Sequence, residues 1–275
     1  MTMTPPLSYP ALKSVLEYVK VEKRIHITSR SRFLQRIDKT LPVRAKLIYI
    51  WRDYLRLDSF LFAEKNNHLR AEDKKNGKLL MNYLRGRTNV DVDLAVFTQV
   101  KTSQDIPVKL DLKISKLKSD DSNLEVVLPM INPSCFPLTD LSLIINEPSH
   151  VDHRIVHLAK NVTFDTNDDL IGLEKLPNKS VYLRVRPITD VVRIITYWMQ
   201  HGKEVGTEFL IFYFTTSDLR EVMTKLQEEF HKAPEYSEEI NKHVLPGFSI
   251  QLSSMSKLLV YGIGTHVNEL VLKVV

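Results

Sequence analysis

An α+β fold is predicted for this chain: a short three-helix module at the N-terminus, then a mixed β-sheet domain with helices on one face. Three observations predict it. Apolar residues recur at helical spacing in three short runs before Pro42. Alternating runs such as Val108, Leu110, Leu112 and Ile114 read as strands. From residue 160 onward strands and helices alternate, and a run of strands closes the chain.

The elements follow in order. Pro10 suits the first turn of a helix, where its missing N–H costs nothing. Leu12, Val15, Leu16 and Val19 then fall at i, i+3, i+4 and i+7, one apolar stripe. A second segment carries Val21, Ile25 and Ile27, and a third carries Phe33, Leu34, Ile37 and Leu41 before Pro42 stops it. Three helices this short cannot bury a core by themselves. They must pack on the rest of the chain or on another protein.

Residues 47–62 are apolar and aromatic, and the polar run 66–78 reads as an exposed loop or a frayed helix. Strands are expected at 90–100, 108–117, 124–131 and 141–145, with a Pro-rich turn over 132–137. Further along, strands are expected at 162–164, 181–185, 207–215, 248–252, 257–261 and 269–275. Helical segments are expected at 168–176, 188–199 and from Ser217 or Asp218 to Phe230. No internal repeat is strong enough to predict a solenoid. The expected division is a module over 1–45 and an α+β domain over 46–275, with a sub-boundary near 150–160.

Composition narrows the function classes. Apolar residues make up 43% of the 275, enough for a sizeable core, and the single cysteine, Cys135, allows neither an internal disulfide nor a cysteine-built zinc site. No run is long and apolar enough for a membrane span, and the first ten residues lack the pattern of a secretory signal. The expectation is an intracellular protein, cytoplasmic or nuclear. Residues 1–90 hold 19 Lys or Arg against 8 Asp or Glu. That surplus could steer the chain toward nucleic acid or an acidic partner. Its basic residues alternate with apolar ones, which favours solvated helix faces over a nucleic-acid surface.

No catalytic constellation can be assembled. There is no nucleophile elbow, P-loop or dinucleotide fingerprint. Gly262 and Gly264 follow a strand and read as a hairpin connection. His150, His153 and His157 are close in sequence, but no fourth ligand is near, so neither metal nor cofactor is expected. Cys135 has no neighbouring cation to activate it. The acidic pairs, such as Asp120 with Asp121, read as solvated surface. Trp198 ends an amphipathic stripe with Ile194 and Ile195 and reads as core. The sequons at Asn161 and Asn178 read as chance.

Residues 6–18, PLSYPALKSVLEY, resemble the opening of an F-box, as do 23–30 and 33–37. The run to Leu41 and Pro42 resembles more closely a large lineage-expanded nematode family whose domain has no assigned function. The segments 161–163, 176–178, Trp198, 203–207, 258–261 and 271–274 resemble that family too. The F-box likeness implies a three-helix surface that docks on the Skp-type adaptor of a cullin ubiquitin ligase, while the partner domain selects a target. On that reading Leu7, Pro10, Leu12, Val15, Leu16 and Val19 are the docking residues. The alternatives are a stand-alone binding domain whose helices cap its own sheet, and a nucleic-acid binder using the basic N-terminal third.

Overall fold

A computed structural model describes residues 8–52, 54–63, 71–106, 108–144, 151–165, 172–184, 187–234, 244–264 and 268–275. The chain divides into two compact units, Met1–Cys135 and Phe136–Val275. The fold is α+β, and the N-terminal helices precede the strands.

The first unit opens with α1 (Tyr9–Tyr18), α2 (Val21–Ser29) and α3 (Arg32–Lys39). Pro10 lies in the first turn of α1, and the Ser31 side chain caps α3 by accepting from the Leu34 N–H. Next come β1 (Val43–Trp51), β2 (Tyr54–Leu57) and β3 (Phe60–Ala63), then α4 (Ala71–Leu84), β4 (Val90–Thr98), β5 (Leu112–Asp120) and the single turn α5 (Leu124–Val127). The sheet is mixed: β5, β4 and β1 run parallel, and β1, β2 and β3 form an antiparallel meander. The helix α4 packs on β3, and α2 packs on β1 and α4. The polar run at 66–78 is helical from residue 71, while 64–70 lie outside the described residues.

One expectation fails here. Residues 124–127 form a helical turn and 128–130 a 3-10 turn, not a strand. The Asn123 side chain accepts from the Glu125 N–H and starts the turn, and Pro129 supplies no donor for a ladder. Only Ile131 returns to the sheet, by a parallel bridge to Leu112. The strand expected from Val108 starts later, at Leu112, although Val108 and Leu110 are buried.

The second unit holds β6 (Asp140–Ile144), α6 (Arg154–Leu158), β7 (Asn161–Phe164), β8 (Ser180–Leu183), α7 (Ile188–His201), β9 (Glu208–Tyr213), α8 (Thr216–Glu229), β10 (Val244–Gln251), β11 (Lys257–Gly264) and β12 (Asn268–Val274). Successive strands β6 to β9 lie side by side and parallel, with Asp140, Asn161, Ser180 and Glu208 in register. Beyond β9 the order is β12, β11, β10, all antiparallel. The expected helix over 168–176 is a 3-10 turn at Leu173–Lys175, with 166–171 outside the described residues. Thr215, not Ser217 or Asp218, caps α8; Asp218 completes a capping box from the third helical position.

Helices lie on one face of this sheet. Trp198 of α7 is fully buried, with its ring edge-on to Phe209 at 4.8 Å, and its Nε1 donates to the Glu174 carbonyl. Leu219 of α8 lies against Gly262, where a Cβ would sit 3.2 Å from Leu219 Cδ2. Phe209 shares a strand face with Ile211, which is in register with Leu270 and Gly262, so both helices cover the same side. A side-chain donor, buried in Asn178 and half-buried in Lys203, precedes each of two strands. Asn178, just before β8, bonds the carbonyls of Val156 and Ala159 just before β7. Lys203, before β9, bonds the Leu176 carbonyl before β8. Both hold the turn of one strand–helix repeat to the next. Asn178 is buried and so cannot carry a glycan. Among the described residues no helix is long and apolar enough to cross a membrane.

Candidate docking surface

The α1 stripe divides on folding. Leu16 is 2% exposed and packs with Ile37 and Leu41, and Leu12 lies partly buried against them. Val19 is partly buried, Pro10 is exposed and Leu7 lies outside the described residues. Val15 is 49% exposed. At 100° per residue, Leu12, Leu16 and Val19 share one line of α1, and Val15 and Tyr18 flank it on one side. Tyr18 is 89% exposed and Phe33 is 60% exposed. Phe33 continues the line of Ile37 one turn toward the start of α3, where it is left uncovered. Tyr9 on α1 and Ile27 on α2 are also large apolar side chains left in water.

The structure therefore brings Leu12 and Leu16 together inside the module and leaves Val15 outside. Tyr9, Tyr18, Ile27 and Phe33 were missed as surface candidates. A signal existed for Tyr18, which lies off the α1 stripe. None existed for Phe33, since its periodicity is that of a core residue.

The module is fixed to its unit by buried charge. Asp38 of α3 accepts from Arg24 of α2 on one carboxylate oxygen and from Arg87 on the other. Arg24 also donates to the Pro42 carbonyl, and Arg87 to the carbonyls of Tyr83, Asp38 and Leu41. All three side chains are nearly inaccessible. Arg87 stacks over the Tyr83 ring, 4.0 Å from its centroid. Burial pushes the Tyr83 hydroxyl up to about 12; Arg87 and Arg24 oppose the rise and Asp38 adds to it. A recess of about 250 Å³ lies alongside, lined by Ile25, Leu79, Gln35, Lys39, Asn82 and Tyr83 among others.

The other candidates have ordinary structural places. His153 caps α6, its Nδ1 accepting from the Ile155 N–H at 3.2 Å, and His150 lies outside the described residues. Among the described residues no group of three or more His, Cys, Asp or Glu side chains could hold a metal ion. The Cys135 Sγ is engaged by backbone, receiving the Ile114 N–H at 3.2 Å. Gly262 and Gly264 lie in the β11–β12 hairpin.

Comparison with known families adds one finding. The domain of unknown function DUF3557 matches residues 73–215, just over half of the chain. The chain belongs to the DUF3557 family. The DUF3557 match runs from within α4 to just past β9, so it takes in the four-strand parallel ladder and leaves α1–α3, β1–β3, α8 and β10–β12 outside. No curated protein and no solved structure matches the chain.

Proposed function

We propose that this DUF3557 protein is a non-enzymatic interaction protein that brings a target to a cullin-type ubiquitin ligase, its F-box-like helices docking on a Skp-type adaptor. The observation that carries this reading is the set of large apolar side chains, Val15, Tyr18 and Phe33, held in water, the first two on α1, which Leu16 packs against Ile37 and Leu41, and Phe33 on α3, which the Asp38 ion cluster ties to α2. Val15 and Tyr18 lie three residues apart on α1, and exposed apolar neighbours on a small helical surface mark an interaction site. The likeness of residues 6–18 to an F-box opening supports the same reading. The adaptor face it would meet is acidic, because residues 1–42 carry eight basic and three acidic side chains.

The test is titration of the full chain with a purified Skp-type adaptor. The wild type binds, and Val15→Asp or Phe33→Asp weakens binding at least about tenfold, as expected when an apolar contact residue is lost. Absence of binding by the wild type removes the reading. The burial of Leu16 favours one other account, in which α1–α3 only cap their own unit. That account expects no adaptor binding. A nucleic-acid reading is the least supported; it expects affinity to fall steeply with salt.

A further inference from the structure

The recess beside the Asp38 ion cluster holds more positive than negative charge. It lies between α2, α3 and α4, and its wall carries Gln35, Asp38, Lys39, Asn82, Tyr83 and Arg87. Ile25 and Leu79 give it one apolar side. Its volume of about 250 Å³ falls below the roughly 300–1,000 Å³ of pockets for drug-sized ligands, so it suits a compact group.

Charge and hydrogen-bonding capacity are both left over at this place. Asp38 is 1% exposed, and each of its carboxylate oxygens already takes a guanidinium, so it offers no free negative edge. Against that one carboxylate stand Arg24, Arg87 and Lys39, three cations to one anion, a surplus of two positive charges. A guanidinium has five N–H donors. Arg24 uses two of them and Arg87 four. The buried Nη2 of Arg24 has no hydrogen-bond partner among the described residues. Gln35, Lys39 and Asn82 are exposed at the rim and make no ion pair or side-chain hydrogen bond with a described residue. The hydroxyls of Thr28 and Ser29 are spent instead, donating to the carbonyls of Arg24 and His26.

Buried positive charge without a counter-charge is costly, and an anion in the recess relieves it. Two surplus charges match a phosphoryl group, which carries about −1.5 to −2 near neutral pH and presents three acceptor oxygens. A carboxylate leaves half of the surplus in place. Lys39, the amides of Gln35 and Asn82 and the remaining Arg87 N–H are the donors for those oxygens.

We propose that this recess binds the phosphoryl group of a small phosphomonoester, held by Lys39, Arg87, Gln35 and Asn82, with its carbon stem on Ile25 and Leu79. Gln35 and Phe33, two residues apart, point about 200° apart around α3. The site is therefore separate from the proposed adaptor surface, and neither reading depends on the other.

The experiment is isothermal titration calorimetry on the full chain at fixed ionic strength, with phenyl phosphate, inorganic phosphate, benzoate and phenol as probes. Phenyl phosphate binds at least about tenfold tighter than benzoate, and phenol does not bind. Inorganic phosphate binds more weakly than its phenyl ester, because it leaves Ile25 and Leu79 uncovered. Affinity for phenyl phosphate rises several-fold from about pH 5.5 to about pH 7.5, as the phosphoryl group takes its second charge. The described wall contains no histidine to titrate in that range, only Arg87, Lys39, Asp38 and Tyr83, with Arg24 behind them. Lys39→Glu weakens phenyl phosphate at least about tenfold and Lys39→Arg retains it; the side chain is exposed, so both variants fold. Val15→Asp leaves it unchanged. Equal affinity for phenyl phosphate and benzoate overturns the proposal. So does binding that survives Lys39→Glu, or no heat of binding with millimolar phenyl phosphate.

Discussion

Asp38 is the residue on which the first unit's charge balance turns. Its one carboxylate pairs with two guanidinium groups that are nearly inaccessible to water. Truncating the shared partner leaves both cations buried and uncompensated, which typically costs 3–5 kcal/mol. Asp38→Ala is therefore expected to lower unfolding stability by about 3–5 kcal/mol in a urea titration, far more than an ordinary surface substitution. Tyr83 beside it gives a pH signature. Its pKa is raised from 10.0 to about 12, chiefly by burial, so the folded state favours the neutral phenol. That stability is present below pH 10 and is lost as pH rises toward 12, roughly 3 kcal/mol in all. Urea titrations should show wild type losing that much relative to Tyr83→Phe across this range; parallel curves would contradict the assignment. Glu269 behaves in the same sense at low pH. Its carboxyl is raised, so Glu269→Gln should gain on wild type as pH rises through the folded pKa and match it below about 4.5. None of the three was legible in sequence. Asp38 sits in a charged run that reads as solvent-facing, and only tertiary packing places Arg24 and Arg87 against it. Trp198, by contrast, was legible as core because Ile194 and Ile195 share its spacing.

At the scale of elements, α1 separates packing from display. Leu16 faces Ile37 and Leu41, and Val15, one residue earlier, faces water. Leu16→Ala is expected to cost about 2–5 kcal/mol, and Val15→Ala less than about 0.5, by chemical denaturation. Equal costs would mean that α1 is rotated relative to this description. The existence of α1, α2 and α3 was legible from periodicity and from Pro10 and Pro42. Which residues of each stripe stay exposed was not, because periodicity shows a face without showing where its cover ends. The α5 turn was misread for a related reason: a short apolar run fits strand and helix alike, and the Asn123 cap and Pro129 decide between them. The stacking of β6 to β9 was also hidden. Its turns are held by Asn178 in one repeat and Lys203 in the next, different residues in the same role, so no repeat surfaces in the sequence.

Across the whole molecule, charge and exposed apolar surface are divided between the units. The first, with 24 basic and 15 acidic residues, carries exposed Val15, Tyr18 and Phe33; the second, with 14 and 18, carries exposed Met199, Val205, Phe214 and Met255. The α+β class and most strands after residue 160 were readable from alternation, whereas the parallel order of the strands depends on pairings distant in sequence. The account rests on the outer side of α1 and α3 being a contact surface. Hydroxyl-radical footprinting of the full chain, with and without a purified Skp-type adaptor, tests this most directly. The account predicts that oxidation of Tyr18 and Phe33 falls several-fold on adding adaptor while Met255, as exposed as Tyr18 and in the second unit, is unchanged. Undiminished oxidation of Tyr18 and Phe33 at saturating adaptor would contradict it.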